Sequence, residues 1–119
     1  MDIQELRREA QTMQPQLTAD RRRLHRNPEA GAVLPETVAY VKERLTEMGY
    51  HPQELGGGLT ATVTGTDTGR CILLRADMDA LRGQEQSGLS FRSENGCMHA
   101  CGHDMHTAML LGAARLLMQ

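Results

Sequence analysis

Met98-His99-Ala100-Cys101-Gly102-His103-Asp104-Met105-His106 sets a thiol, three imidazoles and a carboxylate within one short stretch, and Arg75-Ala76-Asp77-Met78-Asp79-Ala80-Leu81 sets two more carboxylates upstream. Imidazole, thiolate and carboxylate together are the donor mixture that a borderline-soft divalent metal ion selects. Metal-assisted hydrolysis is therefore the leading chemistry.

Spacing divides the roles only in part. Cys101 and His103 flank Gly102 at the start of a predicted helix, where the backbone donors and helix dipole favour thiolate, the form that binds metal. Gly102 removes a Cβ from between them and permits an unusual backbone angle. His103 and His106 are i, i+3 on one helix face, whereas His99 precedes the turn, so the three histidines cannot all be assigned as ligands from spacing. Asp77 and Asp79 are i, i+2 and share one side of an extended backbone, so one could meet a metal or ligand while the other supports it. An Asp pair at a strand end by itself more often caps a following helix, and the second cluster carries more weight. Haem attachment needs Cys-x-x-Cys-His, which Cys97 and Cys101 do not offer, and a zinc finger needs a distant second ligand pair that does not follow His106. Cys71, inside an apolar run, reads as core, and packing is also the ordinary role for Cys97.

The elements that must position these groups follow from period and punctuation. Residues 2 to 26 carry apolar positions at helical spacing (Ile3, Leu6, Ala10, Met13, Leu17, Leu24), with Pro15 bending or dividing the segment and Asn27-Pro28 ending it. A second helix is predicted over 36–48, with Val38, Val41, Leu45 and Met48 on one face and Gly49 as its stop. Thr60-Ala61-Thr62-Val63-Thr64, bounded by glycines, has the composition of a strand, and Asp67-Thr68-Gly69 predicts a turn. Cys71-Ile72-Leu73-Leu74 predicts an interior strand covered on both faces, placing the Asp77 motif at its carboxyl end, where open α/β sheets gather functional groups. His103 to Gln119 is apolar almost all round and predicts a helix buried in a larger body, of which this chain would be a truncated part. The fold class is α/β, with a sheet flanked by helices.

Composition narrows the partners. The 119 residues hold 39% hydrophobic side chains, enough for one domain or part of one. A net charge of −2 and three aromatic residues (Tyr40, Tyr50, Phe91) argue against nucleic acid. Arg21-Arg22-Arg23 is the one basic cluster, and a solvated helix face accounts for it. No apolar stretch is long enough for a membrane span, and the first residues have neither basic leader nor apolar segment, so a cytoplasmic protein with reduced thiols is expected.

Arg22-Arg23-Leu24-His25, Asn27-Pro28-Glu29, the Asp77 motif, Met98 to Asp104, His106-Thr107-Ala108 and Leu111-Gly112-Ala113-Ala114 together resemble the amidohydrolase branch of the carboxypeptidase-G-like metallopeptidases, metallopeptidase family twenty. That branch includes hippurate hydrolases, N-acyl amino acid deacylases and hydrolases of indole-acetyl amino acid conjugates. The resemblance implies that residues 1–119 are the N-terminal portion of an α/β catalytic domain of zinc-peptidase type, with the remainder and an inserted dimerisation domain outside the chain. It implies a centre of two divalent metal ions (zinc, manganese, cobalt or nickel), with Cys101 and His103 as metal ligands. Asp77 would be the catalytic acid and Asp79 its supporting neighbour, leaving His99, Asp104 and His106 as supporting or unassigned groups. A small N-acyl amino acid would be the substrate and a homodimer the full-length assembly, with this piece inactive alone. The chain departs from the pattern at Arg82, where proline is usual, near Val33 and at Cys97. A non-catalytic metal-binding or interaction module derived from that family is the alternative.

Overall fold

The structure, a computed structural model, describes residues 2–66 and 69–118. Helix α1 (Ile3–Thr12) starts at a capping box, in which the Asp2 carboxylate accepts from the Glu5 amide at 2.8 Å and the Glu5 carboxylate from the Asp2 amide at 3.1 Å. Pro15 divides the N-terminal segment as expected. Met13 closes α1, and Pro15 lies in the first turn of α2 (Gln14–Arg26), where its missing N–H leaves no intrahelical bond unmade. Asn27 ends α2, its side-chain amide donating to the Arg23 carbonyl at 2.8 Å.

Helix α3 (Pro35–Glu47) has proline in its first turn, and the Glu29 carboxylate accepts from the amides of Thr37 (2.6 Å) and Glu36 (3.2 Å). An anion at this end satisfies orphan donors and meets the positive end of the helix dipole. Val38, Val41 and Leu45 are buried as predicted, and Met48 is partly buried. The core forms where α2, α3 and the last helix, α4 (His103–Leu117), meet: Leu24, Val41, Leu45, Tyr50 and Leu111 pack together. The Tyr50 hydroxyl donates to the Ala114 carbonyl at 2.7 Å, fastening the segment after α3 to α4.

Two short antiparallel hairpins complete the fold. Strands β1 (Gln53–Leu55) and β2 (Gly58–Thr60) pair Gln53 with Thr60 and Leu55 with Gly58 around Gly56-Gly57. Both turn glycines have positive φ, +59° and +87°, as a two-residue hairpin requires, and a Cβ on Gly57 would stand 2.5 Å from the Ala32 carbonyl oxygen. Strands β3 (Leu81–Arg82) and β4 (Cys97–Met98) pair in the second hairpin, and an isolated parallel bridge joins Ala30 to Ala80.

The strand expectations need correction. Pairing stops at Thr60, so residues 61–64 of the expected strand form no ladder, and Cys71–Leu74 is no covered interior strand. Ile72 and Leu73 are 85% and 87% exposed, and Cys71 is exposed rather than core. A strand exists only through a neighbour that takes its hydrogen bonds, and among the described residues none pairs with these segments. The turn expected at Asp67-Thr68-Gly69 falls largely outside the described residues. Helix α4 is buried on one face only, through Thr107, Ala108, Leu111 and Gly112, while Met105, Met109 and Leu117 are exposed. Among the described residues no helix is long and apolar enough to cross a membrane.

Candidate metal centre

Asp77 and Asp79 lie on the irregular segment entering β3, and His103 and His106 lie on the first turns of α4. The segment is pinned from two sides. The Ala80 amide donates to the Glu29 carbonyl at 2.7 Å, and the Thr107 hydroxyl donates to the Asp77 carbonyl at 2.9 Å. At the start of α4, Gly102 has φ +79°, a left-handed conformation of the unusual kind that a glycine between Cys101 and His103 permits.

His103 stands between the two aspartates. Its Nδ1 is 2.8 Å from the Asp79 carbonyl and 3.0 Å from Asp79 Oδ1. Both are acceptors, so Nδ1 carries hydrogen, and Nε2 lies 3.3 Å from Asp77 Oδ2. The two atoms face each other at that distance favourably only with a proton or a cation between them. His106 Nδ1 lies 2.7 Å from Asp77 Oδ1, and its ring stacks on that of His103 with centroids 5.6 Å apart.

One potential ligand atom from each of Asp77, His103 and His106 lies within 4.8 Å of the other two. The hydrogen bond from His106, aided by the charge of His103, holds the Asp77 carboxyl below the usual carboxylate range despite the opposing effect of burial. The group is thus an anionic donor at neutral pH. Two imidazoles and a carboxylate fit a divalent metal ion, and an Asp79–His103 hydrogen bond is the support a ligating imidazole ordinarily receives.

The structure brings Asp77, Asp79, His103 and His106 together, with His106 in the donor group. Cys101 is exposed and lies outside this three-residue group. Asp104 turns away from it: its side chain, 1% exposed, accepts from Arg21 Nε at 2.9 Å, His25 Nδ1 at 2.8 Å and the Met105 amide at 2.9 Å. Arg21 is therefore more than part of a solvated face, although Arg22 and Arg23 are exposed and lie over the rings of Phe91 and Tyr40. His99 is buried, and neither ring nitrogen has a hydrogen-bond partner among the described residues. Its burial disfavours the charged ring and lowers its pKa below the ordinary imidazole range. Sequence reasoning missed the contacts of Thr107 with the Asp77 carbonyl and of His25 with Asp104. No local pattern could show a contact such as His25–Asp104, 79 residues apart.

The chain is similar to known proteins over most of its length. Residues 73–119 match the model of peptidase family M20/M25/M40. The chain is 48% identical over 109 residues to an N-acetyl-L-cysteine deacetylase of Bacillus subtilis, an alignment covering 89% of this chain and 26% of that protein. It is 40% identical over 124 residues to an N-acyl-L-amino acid amidohydrolase of Geobacillus stearothermophilus, covering 100% of this chain and 33% of that one. A solved Bacillus subtilis structure, a dinuclear metal-binding peptidase of the M20 family, superposes with a TM-score of 0.85 and 38% identity over 92% of this chain and 32% of its own. The chain thus spans from 26% to 33% of these proteins' lengths. Motifs, backbone and relatives agree that the chain belongs to the M20/M25/M40 peptidase family.

Proposed function

We propose that the protein is a metal-dependent amidohydrolase acting on N-acyl amino acids, and that this chain supplies one wall of its metal centre. The observation that carries the reading is His103, with Nδ1 held by Asp79 and Nε2 turned toward the Asp77 carboxylate. The substrate class rests on relatives named for N-acetyl-cysteine and N-acyl amino acid hydrolysis.

His103 is a ligand in this reading, and Cys101, one glycine away, is the thiolate ligand brought in from the exposed loop. Asp77 carries the negative charge at the reacting centre, Asp79 fixes the ring of His103, and His106 either donates to Asp77 or joins the ligands. Zinc, manganese, cobalt or nickel, two ions to a complete site, would supply polarisation of the amide carbonyl and a more acidic water. Thr107 keeps Asp77 in register with α4. The full-length protein would work as a homodimer in the cytoplasm.

The test uses the full-length protein with each of these metals and with N-acetyl and N-benzoyl amino acids. Metal-dependent release of the free amino acid, abolished in His103→Ala, is expected; no hydrolysis with any of the metals would sink the reading. The 119-residue chain alone is expected to stay at the level of the metal-only blank. In the full protein, zinc or manganese should protect Cys101 from alkylation, and an unchanged rate would remove Cys101 from the ligands.

A further inference from the structure

Away from the ligands, a buried charged chain crosses the molecule. His25, on α2, places Nδ1 2.8 Å from Asp104 Oδ2 and Nε2 2.9 Å from Glu85 Oε1. The side chains of His25 and Glu85 are each 8% exposed and that of Asp104 is 1% exposed, so these contacts are shielded from water. Carboxylates only accept hydrogen bonds, so both contacts form when both ring nitrogens carry hydrogen. The result is a cation between two anions, with Arg21, paired to Asp104, balancing the second negative charge. Charge-assisted hydrogen bonds of this kind are short and directional.

What the chain joins gives it a role. Asp77 and Asp79 precede β3, while Cys101 and His103 follow β4, so the β3–β4 hairpin connects the two halves of the site. Glu85 organises the loop of that hairpin: it also accepts from the Ser93 amide at 2.9 Å and from the Ser87 hydroxyl. Asp104 adjoins His103 in the first turn of α4. His25 therefore grips the hairpin loop with one nitrogen and the ligand-bearing turn with the other.

We propose that His25 is a positioning residue for the metal centre, locking the β3–β4 loop to the first turn of α4 so that His103 and His106 meet Asp77. The proposal rests on the metal-dependent reading above. Without His25, Glu85 and Asp104 lose the cation between them, and the turn that carries His103 is free to shift relative to Asp77. A misplacement of about an ångström at such a site can cost on the order of 100-fold in activity.

The experiment is a cobalt(II) titration of the full-length protein, read from the visible absorption of bound cobalt, with melting of the metal-free protein measured alongside. His25→Gln, which keeps one donor, should weaken cobalt binding by about tenfold to a hundredfold and shift the visible band, as loss of a supporting residue does. Glu85→Gln, which keeps the shape and loses the charge, should weaken it by about threefold to tenfold. A lower melting temperature with weakening below about threefold and an unshifted band would mean the network is merely structural and would overturn the proposal. Should His25→Gln fail to fold, Glu85→Gln decides by the same criteria. His103→Ala separates the two readings: cobalt lost there but retained unchanged in the His25 and Glu85 variants overturns the positioning role alone. A wild-type protein that binds no cobalt overturns both.

Discussion

A carboxylate held in its ionised form by its surroundings leaves a signature in acid, and Glu85 is the clearest case in this chain. Burial works to raise its pKa, yet hydrogen bonds from Ser87, His25 and the Ser93 amide, with the charge of His25, hold it at about 2 against an ordinary 4.5. A depressed folded-state pKa contributes stability that is complete above the unfolded value and is lost as the pH falls through the folded one. The stability advantage of wild type over Glu85→Gln should thus be full above about pH 4.5 and shrink as the pH falls toward 2. Urea unfolding of both proteins across that range measures it; a difference that does not change with pH would show that Glu85 is not held ionised by the fold.

Between elements, the equivalent fastening is Asp20, which pins α2 to α3. Its carboxylate, 1% exposed, accepts from Arg44 Nε at 3.0 Å, the Tyr40 hydroxyl at 2.5 Å and the Gln16 side chain at 3.2 Å. Burial and the neighbouring Asp20 push the Tyr40 phenol well above its usual range, so it remains a neutral donor. Asp20→Ala would leave the shielded Arg44 Nε and the Tyr40 hydroxyl without their acceptor, while Glu47 still holds Arg44 Nη1, and should cost about 2 kcal/mol. Thermal and urea unfolding give that number, and a loss below about 1 kcal/mol would place the pair among weak surface contacts. Elements of this kind differ in how far the sequence reveals them. Pro15 and Asn27-Pro28 mark helix boundaries through local backbone chemistry, and the Val38–Val41–Leu45 stripe marks a buried face through period alone. Strands β3 and β4, two residues each, are too short to show a period, and Cys71–Leu74 has strand composition without a paired neighbour among the described residues. The site divides in the same way. Residue types and the glycine between Cys101 and His103 pointed to metal, whereas which imidazole nitrogen faces which aspartate depends on how α4 packs against the β3 approach.

At the scale of the whole molecule, the radius of gyration is 15.3 Å, against about 13.5 Å for a compact domain of this length. The looser shape goes with apolar side chains left at the surface: Ile72, Leu73, Leu74 and Met109 are all more than half exposed. Contiguous apolar surface beyond a few hundred Å² is rare on soluble monomers. The isolated 119-residue chain should therefore bind a hydrophobic dye or self-associate. Dye fluorescence and light scattering decide the matter, and a monodisperse, cooperatively melting monomer without dye binding would refute the expectation.

The ranges over which the two fastenings close carry a consequence for the order of folding. The His103–Asp79 and His106–Asp77 contacts close loops of 24 and 29 residues, whereas His25–Asp104 and Arg21–Asp104 close 79 and 83. Loop entropy grows with the logarithm of length, a difference of about 1 kcal/mol here, which favours early meeting of the nearby aspartates and imidazoles over the long-range clamp. Interactions made after the folding transition state slow escape from the native state more than they hasten its formation. In stopped-flow measurements on the full-length protein, His25→Gln should accelerate unfolding several-fold while leaving the refolding rate nearly unchanged.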